Sequence, residues 1–483
     1  MPLWLRQVRD RHSRKAKPRN QIANLDRLDR RRSEYGFCPM SSLQEKFAGA
    51  ILSLIRKQRT KRASAGSDQV QPTRAIAPAK VREARFSDFE AVSELKQRWG
   101  VDADSLENWE RLWHRNPALL RRNVERPIGW VLEADGAIVG YMGNISLQCR
   151  YGEKTLTAVS SHGLVVDTAY RAMSVTLVAP FYGQKSVDLY IATTAIEAVG
   201  KMARAFKCSP LPQPEYDSVL FWVLQPYPFA RALMKKLNLG PVSTGIGSVL
   251  TAIAVGCDKI LHRRGPRHSV TSLTITEIAP KDIGNDFQSL WAAKLNERSR
   301  LFADRTPAAL RWHFEIPGDR GSARVLRCHE NGKLVGYAVI RTDTDQETGL
   351  EKSIIADTLV RQDEPEIVRA LWAAAYESAR LAGSDVLEVM GFPPAIRKVC
   401  TEWNPYLRKY PACPYYYKAA DPALHAALAD GEAWYATPFD GDATLIRPSY
   451  SSSTLHRASE AQMENSTKKN HPQLSEEQRT EVF

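Results

Sequence analysis

Apolar and polar positions along this 483-residue chain change period several times, and one such pattern is written twice. Asp135 to Tyr141 reads DGAIVGY, and Asn331 to Tyr337 reads NGKLVGY, with Gly140 and Gly336 lying 196 residues apart. An Asp-Gly or Asn-Gly pair between apolar runs specifies a tight β-hairpin. Recurrence of such a hairpin at domain-sized spacing predicts two copies of one fold.

The flanking patterns predict the same order of elements twice. In the first half, VREARFSDFEAVSELKQRW reads as a strand and then a helix starting near Ser87-Asp88, and Ser105 to Pro117 as a helix stopped by its proline. After the hairpin, Leu156 to Asp167 reads as a long third strand. A loop and helix from Tyr170, a strand over Asp188 to Thr194, a helix to about Phe206 and a closing segment through Phe221 to Leu224 follow. In the second half, Trp312-His313 and Pro317 repeat Trp113-His114 and Pro117 with one extra residue. The hairpin, a third strand SIIADTLV, a helix over about Glu364 to Ala382 and the strand Asp385 to Gly391 then recur in order. A strand with an Asp-Gly turn is expected from Trp434 to Asp442. The boundaries expected are a basic extension over 1–80, a first domain over 81–240, a connector with an apolar helix over 241–270, a second domain over 271–448 and a disordered tail over 449–483.

Charge changes this picture at one end only. Residues 1–80 carry 19 Lys and Arg against 6 Asp and Glu, which is the whole of the net +13, so the remainder of the chain is neutral and a nucleic-acid role is not implied for it. Within the extension a capping-box pattern at Ser42 opens a helix over 42–57, with Leu43, Phe47, Ile51, Leu54 and Ile55 on one face and a basic end. That helix is a candidate for peripheral contact with an anionic membrane or a protein partner, against the alternative of a solvated extension. Met40 is also an alternative start of translation. The seven cysteines have no ligand or disulfide spacing, which suits a reducing cytoplasm, and no metal is expected. No uninterrupted apolar run reaches 18 residues; Val249 to Ala254 is too short to cross a bilayer.

Candidate chemistry lies around the third strand of the first copy. The hairpin ending in Gly-Tyr and the stretch GLVVDTAYRAMSVTLVAPFY together resemble the GNAT acyltransferase superfamily. The resemblance implies an α/β protein with two tandem GNAT-like domains, each a mixed central sheet flanked by helices, with disordered termini. It further implies that the loop after the third strand, where backbone N–H groups meet a helix N-terminus, binds the pyrophosphate of acetyl-CoA or another acyl-CoA. Matching positions are Arg171, Ala172, Ser174, Val175 and Thr176, with Val165 and Val166 on the strand before them. Ser174 and Thr176 stand where the family uses glycine or alanine.

In the second copy Asp357 to Arg361 echoes Asp167 to Arg171, but Gln362-Asp363-Glu364-Pro365 follows, an acidic sequence unsuited to phosphate. The second copy is therefore expected to keep the fold without the phosphate loop. The resemblance implies acyl transfer to an amine of a small molecule or sugar, with His162 as candidate base, Glu197 as candidate acid-base partner, and Thr193 and Thr194 beside them. For each there is a plainer reading: a hydrogen-bonded core histidine, and an acid at a helix N-terminus. Tyr182, Tyr216 and Tyr227 are further hydroxyl candidates. Tyr406 and Tyr415 to Tyr417 could line a ring-binding groove or pack in the core, and Asp440 and Asp442 could hold a cation or be solvated. Two other functions remain open: a non-catalytic binding or assembly protein on this scaffold, and an aminoacyl-tRNA-dependent transferase of the tandem type.

Overall fold

The structure, a computed structural model, describes residues 77–445 apart from 102, 121–124, 238–240, 267–271, 319–321 and 411–412. The expectations for most of the basic extension, including the helix over 42–57, and for the tail lie outside the described residues.

The first half contributes strands β1 (Ala79–Glu83), β2 (Gly129–Ala134), β3 (Ala137–Tyr151), β4 (Lys154–Val166), β5 (Leu189–Ala192), β6 (Ser209–Pro210) and β7 (Ser218–Val223). The second contributes β8 (Thr274–Ile278), β9 (Leu301–Ala303), β10 (Ala323–Glu330), β11 (Lys333–Asp345), β12 (Leu350–Val360), β13 (Val386–Met390), β14 (Tyr406–Lys409) and β15 (Tyr416–Ala419). In both halves three or four strands pair antiparallel and the next joins in parallel, β5 on β4 and β13 on β12. Helices cover the sheets, so the halves repeat one order of elements, as the sequence implies.

The repeated sequence GxxVGY has a physical cause in each of its parts. Asp135-Gly136 and Asn331-Gly332 all have positive φ, between 48° and 77°, the backbone that a two-residue hairpin turn with strand-matching twist requires. Gly140 and Gly336 then lie beneath a helix. A Cβ on Gly140 would come 3.2 Å from Leu177 in the helix Ser174–Tyr182, and one on Gly336 2.9 Å from Ile367 in the helix Pro365–Leu381. The tyrosines that follow point to the opposite face, where Tyr141 and Tyr337 are fully buried. The Trp-His helices, Leu106–Trp113 and Pro307–Phe314, are both capped by a hydroxyl, Ser105 on the Asn108 N–H and Thr306 on the Ala309 N–H. They also clasp each other: the Arg111 guanidinium donates to the Trp312 carbonyl, and the Trp312 indole donates to the Arg111 carbonyl at 2.8 Å.

The closing strands depart from the expected order. Phe221 to Leu224 closes the first half by sequence, but β7 pairs antiparallel with β13 in the second sheet, with Val223 opposite Val386 and Val219 opposite Met390. Conversely β15, from the second half, pairs with β5 in the first sheet, with Tyr416 opposite Ala192. The first sheet runs β1-β2-β3-β4-β5-β15-β6 with β9 on β3, and the second β14-β7-β13-β12-β11-β10-β8. Each half thus completes the other's sheet, and the described residues form one compact unit.

Two further expectations are corrected. Residues 434–445 are not a strand; apart from a single bridge between Leu301 and Trp434 they are irregular and buried. Their backbone is satisfied by side chains instead, as where the Gln213 amide both donates to the Ala436 carbonyl and accepts from its N–H. The connector helix, Pro241–Leu261, contains an 18-residue segment from Thr244 of mean hydropathy 1.4, long and apolar enough by length and composition to cross a membrane. Counting only uninterrupted apolar residues hid it, because glycines, Ser248 and Thr251 punctuate the run.

The two repeat glycines differ from the turn glycines in what they would tolerate. Gly336→Ala should lower unfolding free energy by about 1–3 kcal/mol through overpacking against Val360 and Ile367. Gly332→Ala, with φ +77° but open space around its Cβ, should cost only about 1 kcal/mol. Urea midpoints of the two variants should fall in that order; equal midpoints would mean that the helix does not press on Gly336.

Candidate active site

The site forms where two parallel strands part. β4 and β5 pair only over Ala158–Ser160 and Leu189–Ile191, after which β5 ends at Ala192 while β4 continues to Val166. A bulge bends β4 at this point: His162 faces Gly143 and Val165 faces Tyr141, so two β4 residues, Gly163 and Leu164, oppose Met142 alone. Gly163 supplies the positive φ, +59°, that the bend uses. Gly143 supplies room, since a Cβ there would lie 2.7 Å from the Tyr141 hydroxyl and 3.2 Å from His162 Cδ2.

The His162 ring, 5% exposed, enters a cluster of charges drawn from three parts of the chain. Its Nε2 is 3.4 Å from Lys96 Nζ and 3.5 Å from Asp104 Oδ2, and its Nδ1 is 3.7 Å from Asp442 Oδ2. Lys96 and Asp104 form a buried ion pair at 2.7 Å, and Asn108 holds the second Asp104 oxygen at 2.8 Å. Burial pushes the Asp104 carboxyl up, but the Lys96 ammonium and the His162 ring outweigh burial and hold it well below the usual carboxylate range. Asp442 is fixed from the β5 side, accepting from Thr193 Oγ1 at 2.7 Å and from Thr194 Oγ1 at 3.3 Å. Two buried polar atoms in this cluster, His162 Nδ1 and the Tyr141 hydroxyl, have no hydrogen-bond partner. Burial, then the Asp104 charge, pushes the Tyr141 phenol well up, so it stays neutral. A proton taken up by His162 would sit between two carboxylates opposed by one ammonium, an arrangement suited to a general base.

The loop beyond the strand faces solvent. Val165 is buried and Val166 half-buried at the end of β4, and a six-residue 3₁₀ segment, Thr168–Met173, leads into the helix Ser174–Tyr182. Arg171, Ala172, Val175 and Thr176 are exposed on it. The Arg171 guanidinium lies over the Trp99 ring at 5.4 Å, and Trp99 is held by its indole bond to Asp167 at 2.6 Å. Arg171 has no carboxylate partner among the described residues. Ser174 Oγ donates to the Arg171 carbonyl at 2.7 Å and keeps acceptor capacity only.

Other candidates lie elsewhere. Glu197 stands in the first turn of the helix Glu197–Ala205, more than half exposed, and its partner is Lys201 at 2.7 Å rather than His162. Tyr415, Tyr416 and Tyr417 are core residues, Tyr415 edge-on to Tyr216 and to Trp434. Tyr182 is packed on Phe206, while Tyr227 is exposed. Asp440 is buried against Arg305 and Asp442 against Thr193, so neither is a solvated turn acid.

The second sheet has the same parting, and it is plugged. β12 and β13 pair only over Lys352–Ile354 and Val386–Glu388. Beside the continuing β12, Tyr435 donates to the Thr358 carbonyl at 2.8 Å, and Thr437 Oγ1 to Asp357 at 2.8 Å. Arg305, fully buried, pairs with Asp357 at 3.0 Å and Asp440 at 3.3 Å, while the Tyr337 hydroxyl also donates to Asp357. Strand register corrects the equivalence of Asp357 with Asp167. Gly140 faces Val166 and Gly336 faces Val360, so the residue matching Asp167 is Arg361, and Asp357 lies inside β12. Arg361 is tied to Glu330 at 3.0 Å and Glu364 at 2.6 Å.

Lys96, Asp104 and Asp442 did not figure as site candidates with His162 in the sequence. Lys96 had a signal: Asp88-Phe89 precedes it by the same spacing as Asp286-Phe287 precedes Lys294, and both lysines are buried. In the second copy Lys294 binds the end of β12, donating to the Val360 carbonyl at 2.7 Å and to Asp363 at 2.6 Å. Asp104 has no counterpart pattern, and Asp442 is joined to His162 across 280 residues.

No family model and no curated protein sequence matches the chain. Among solved structures it is similar to a GCN5-related N-acetyltransferase from Anabaena variabilis, at 9% identity over 71% of this chain and 73% of that one, with a TM-score of 0.45. It is also similar to a GCN5-related N-acetyltransferase from Kribbella flavida, at 9% identity over 72% of each chain and a TM-score of 0.42. A third is Saccharomyces cerevisiae N-myristoyltransferase with bound myristoyl-CoA, at 12% identity over 73% of this chain and 81% of that one, with a TM-score of 0.44.

Proposed function

We propose that the chain transfers an acyl group from acyl-CoA, acetyl-CoA being the simplest donor, to an amine at the parting of β4 and β5. The observation that carries this reading is His162 set between Asp104 and Asp442 at the bulge where the strands separate. In the reaction the amine nitrogen bonds to the thioester carbonyl carbon and the carbon–sulfur bond breaks. His162 takes the proton that the amine loses, and the departing thiolate gains one, so amide and thiol are the products. Asp104 and Asp442 act as positioning residues that stabilise the imidazolium, and Lys96 keeps Asp104 ionised. The phosphates of the donor would meet Arg171 and the N–H groups of the turn from Ala172 to Thr176. Val165 and Val166 form the adjoining strand edge for the acyl end. An exposed arginine stacked on Trp99 without an acidic partner fits this task, whereas Arg361 is already neutralised by two glutamates.

The acceptor is an amine-bearing small molecule or sugar in this reading, and the setting cytoplasmic. The second half would serve as scaffold, its own cleft being filled by Tyr435, Thr437 and Arg305.

Isothermal titration with acetyl-CoA and with longer acyl-CoAs tests the donor site first. Binding is expected in the micromolar range, weakened about tenfold or more by Arg171→Glu through repulsion of phosphate and unchanged by Arg361→Glu. Absence of heat with every acyl-CoA at high micromolar concentration would end the acyltransferase reading. A second measurement, thiol release across a panel of amines, should show His162→Gln lowering kcat about 10²- to 10⁴-fold with acyl-CoA affinity retained. Lys96→Met should also lower kcat with acyl-CoA affinity retained, because Asp104 loses the ammonium that holds it ionised; a folded variant with unchanged kcat would reduce Lys96 to packing.

A further inference from the structure

The helix Pro241–Leu261 presents its apolar residues the wrong way round for a soluble connector. Its exposed positions are Gly245, Ile246, Val249, Leu250, Ile253, Cys257, Ile260 and Leu261, at helical spacing, forming one continuous stripe about 22 Å long. Ile246, Leu250 and Ile253 are each about 60% exposed. The two charged residues of the helix face the protein instead. Asp258 pairs with Arg264 at 2.6 Å and accepts from the Tyr406 hydroxyl, and the Lys259 ammonium lies over the Tyr376 ring at 5.9 Å. Ser248, also turned inward, bonds back to the Thr244 carbonyl.

We infer that this face lies in the plane of an anionic lipid bilayer, with the aliphatic stripe in the headgroup boundary and the rest of the chain in water. Local charge supports lipid as the occupant. Residues 218–276 contain one acid, Asp258, already paired, and seven Lys and Arg: Arg231, Lys235, Lys236, Lys259, Arg263, Arg264 and Arg267. Arg263 is exposed directly after the stripe, where a cation reaches lipid phosphates. On the preceding helix, Pro226–Lys236, Tyr227, Arg231 and Lys235 are exposed at four-residue spacing, the amphipathic and cationic types that settle at headgroups. The 1–80 segment adds its +13 to the same preference. A second copy of the chain would bring like charge to the complex, whereas an anionic surface neutralises it. Because Asp258 and Lys259 anchor the helix on its domain, it lies on the membrane rather than through it.

Flotation of the full chain with phosphatidylcholine vesicles containing phosphatidylglycerol tests this directly, and does not depend on the acyl-transfer reading. The protein should float with anionic vesicles, much less with phosphatidylcholine alone, and be released by alkaline carbonate. The double variant Leu250→Glu, Ile253→Glu alters only exposed positions and should reduce the bound fraction about tenfold or more while keeping its circular dichroism spectrum. Failure to float, or flotation unaffected by these substitutions, overturns the inference. So does resistance to carbonate, which would mean a spanning helix. A lipid-free dimer that the same variant converts to monomer also overturns it, because a second copy would then cover the face.

Discussion

Exchange of the closing strands is the constraint on which the remaining arrangement depends. β7 can complete the second sheet, and β15 the first, only if the chain passes from one sheet to the other between β6 and β7 and again between β14 and β15. The crossings bring residues 434–445 between the two sheets, and with them Asp440 to Arg305 and Asp442 to His162. A side chain 280 residues away in sequence thereby becomes the neighbour of the candidate base. Neither half holds a complete sheet of its own, so the duplication has produced one folding body with two related clefts.

The clefts share a framework and differ in their contents. Each begins with a hairpin whose glycine accepts a helix at close range and whose tyrosine is buried on the opposite face toward charged groups. In the second, a buried arginine, two aspartates and the Tyr435 hydroxyl satisfy one another and the backbone of β12. Such a network is costly to disturb, since removing one member strands a buried charge. In the first, His162 Nδ1 and the Tyr141 hydroxyl remain without hydrogen-bond partners. A buried polar atom left unpaired costs about 1–3 kcal/mol, and unpaired groups of that kind are characteristic of sites shaped for something else to bind. The two clefts thus differ in how their buried polar groups are bonded as well as in their loop sequences.

Charge is likewise distributed by role. The Lys96–Asp104 pair keeps a carboxylate ionised inside the protein next to the ring it must support. On the connector helix the logic is reversed, with ions turned inward and aliphatic groups turned out. Both placements are unfavourable for an ordinary soluble protein, and each coincides with a functional proposal.

What depends on near neighbours is legible along the chain. The Asp-Gly and Asn-Gly turns, the Trp-His helices stopped by proline and the tandem order of elements all follow from short-range sterics and periodicity, which neighbouring residues express directly. His162 could be named as a candidate because it stands on the long third strand before the loop. Its surroundings could not, because Asp104 comes from a loop and Asp442 from an irregular segment, and neither has a period to read. The strand exchange was hidden for the same reason: an apolar strand such as Ser218–Val223 specifies that it will be buried in a sheet, but not in which sheet. The Asp167–Asp357 match failed because like residues stand at different places along their strands, Asp167 just past the end of β4 and Asp357 inside β12. Only tertiary packing, which balances edge pairing and buried charge across the whole chain, decided those partners.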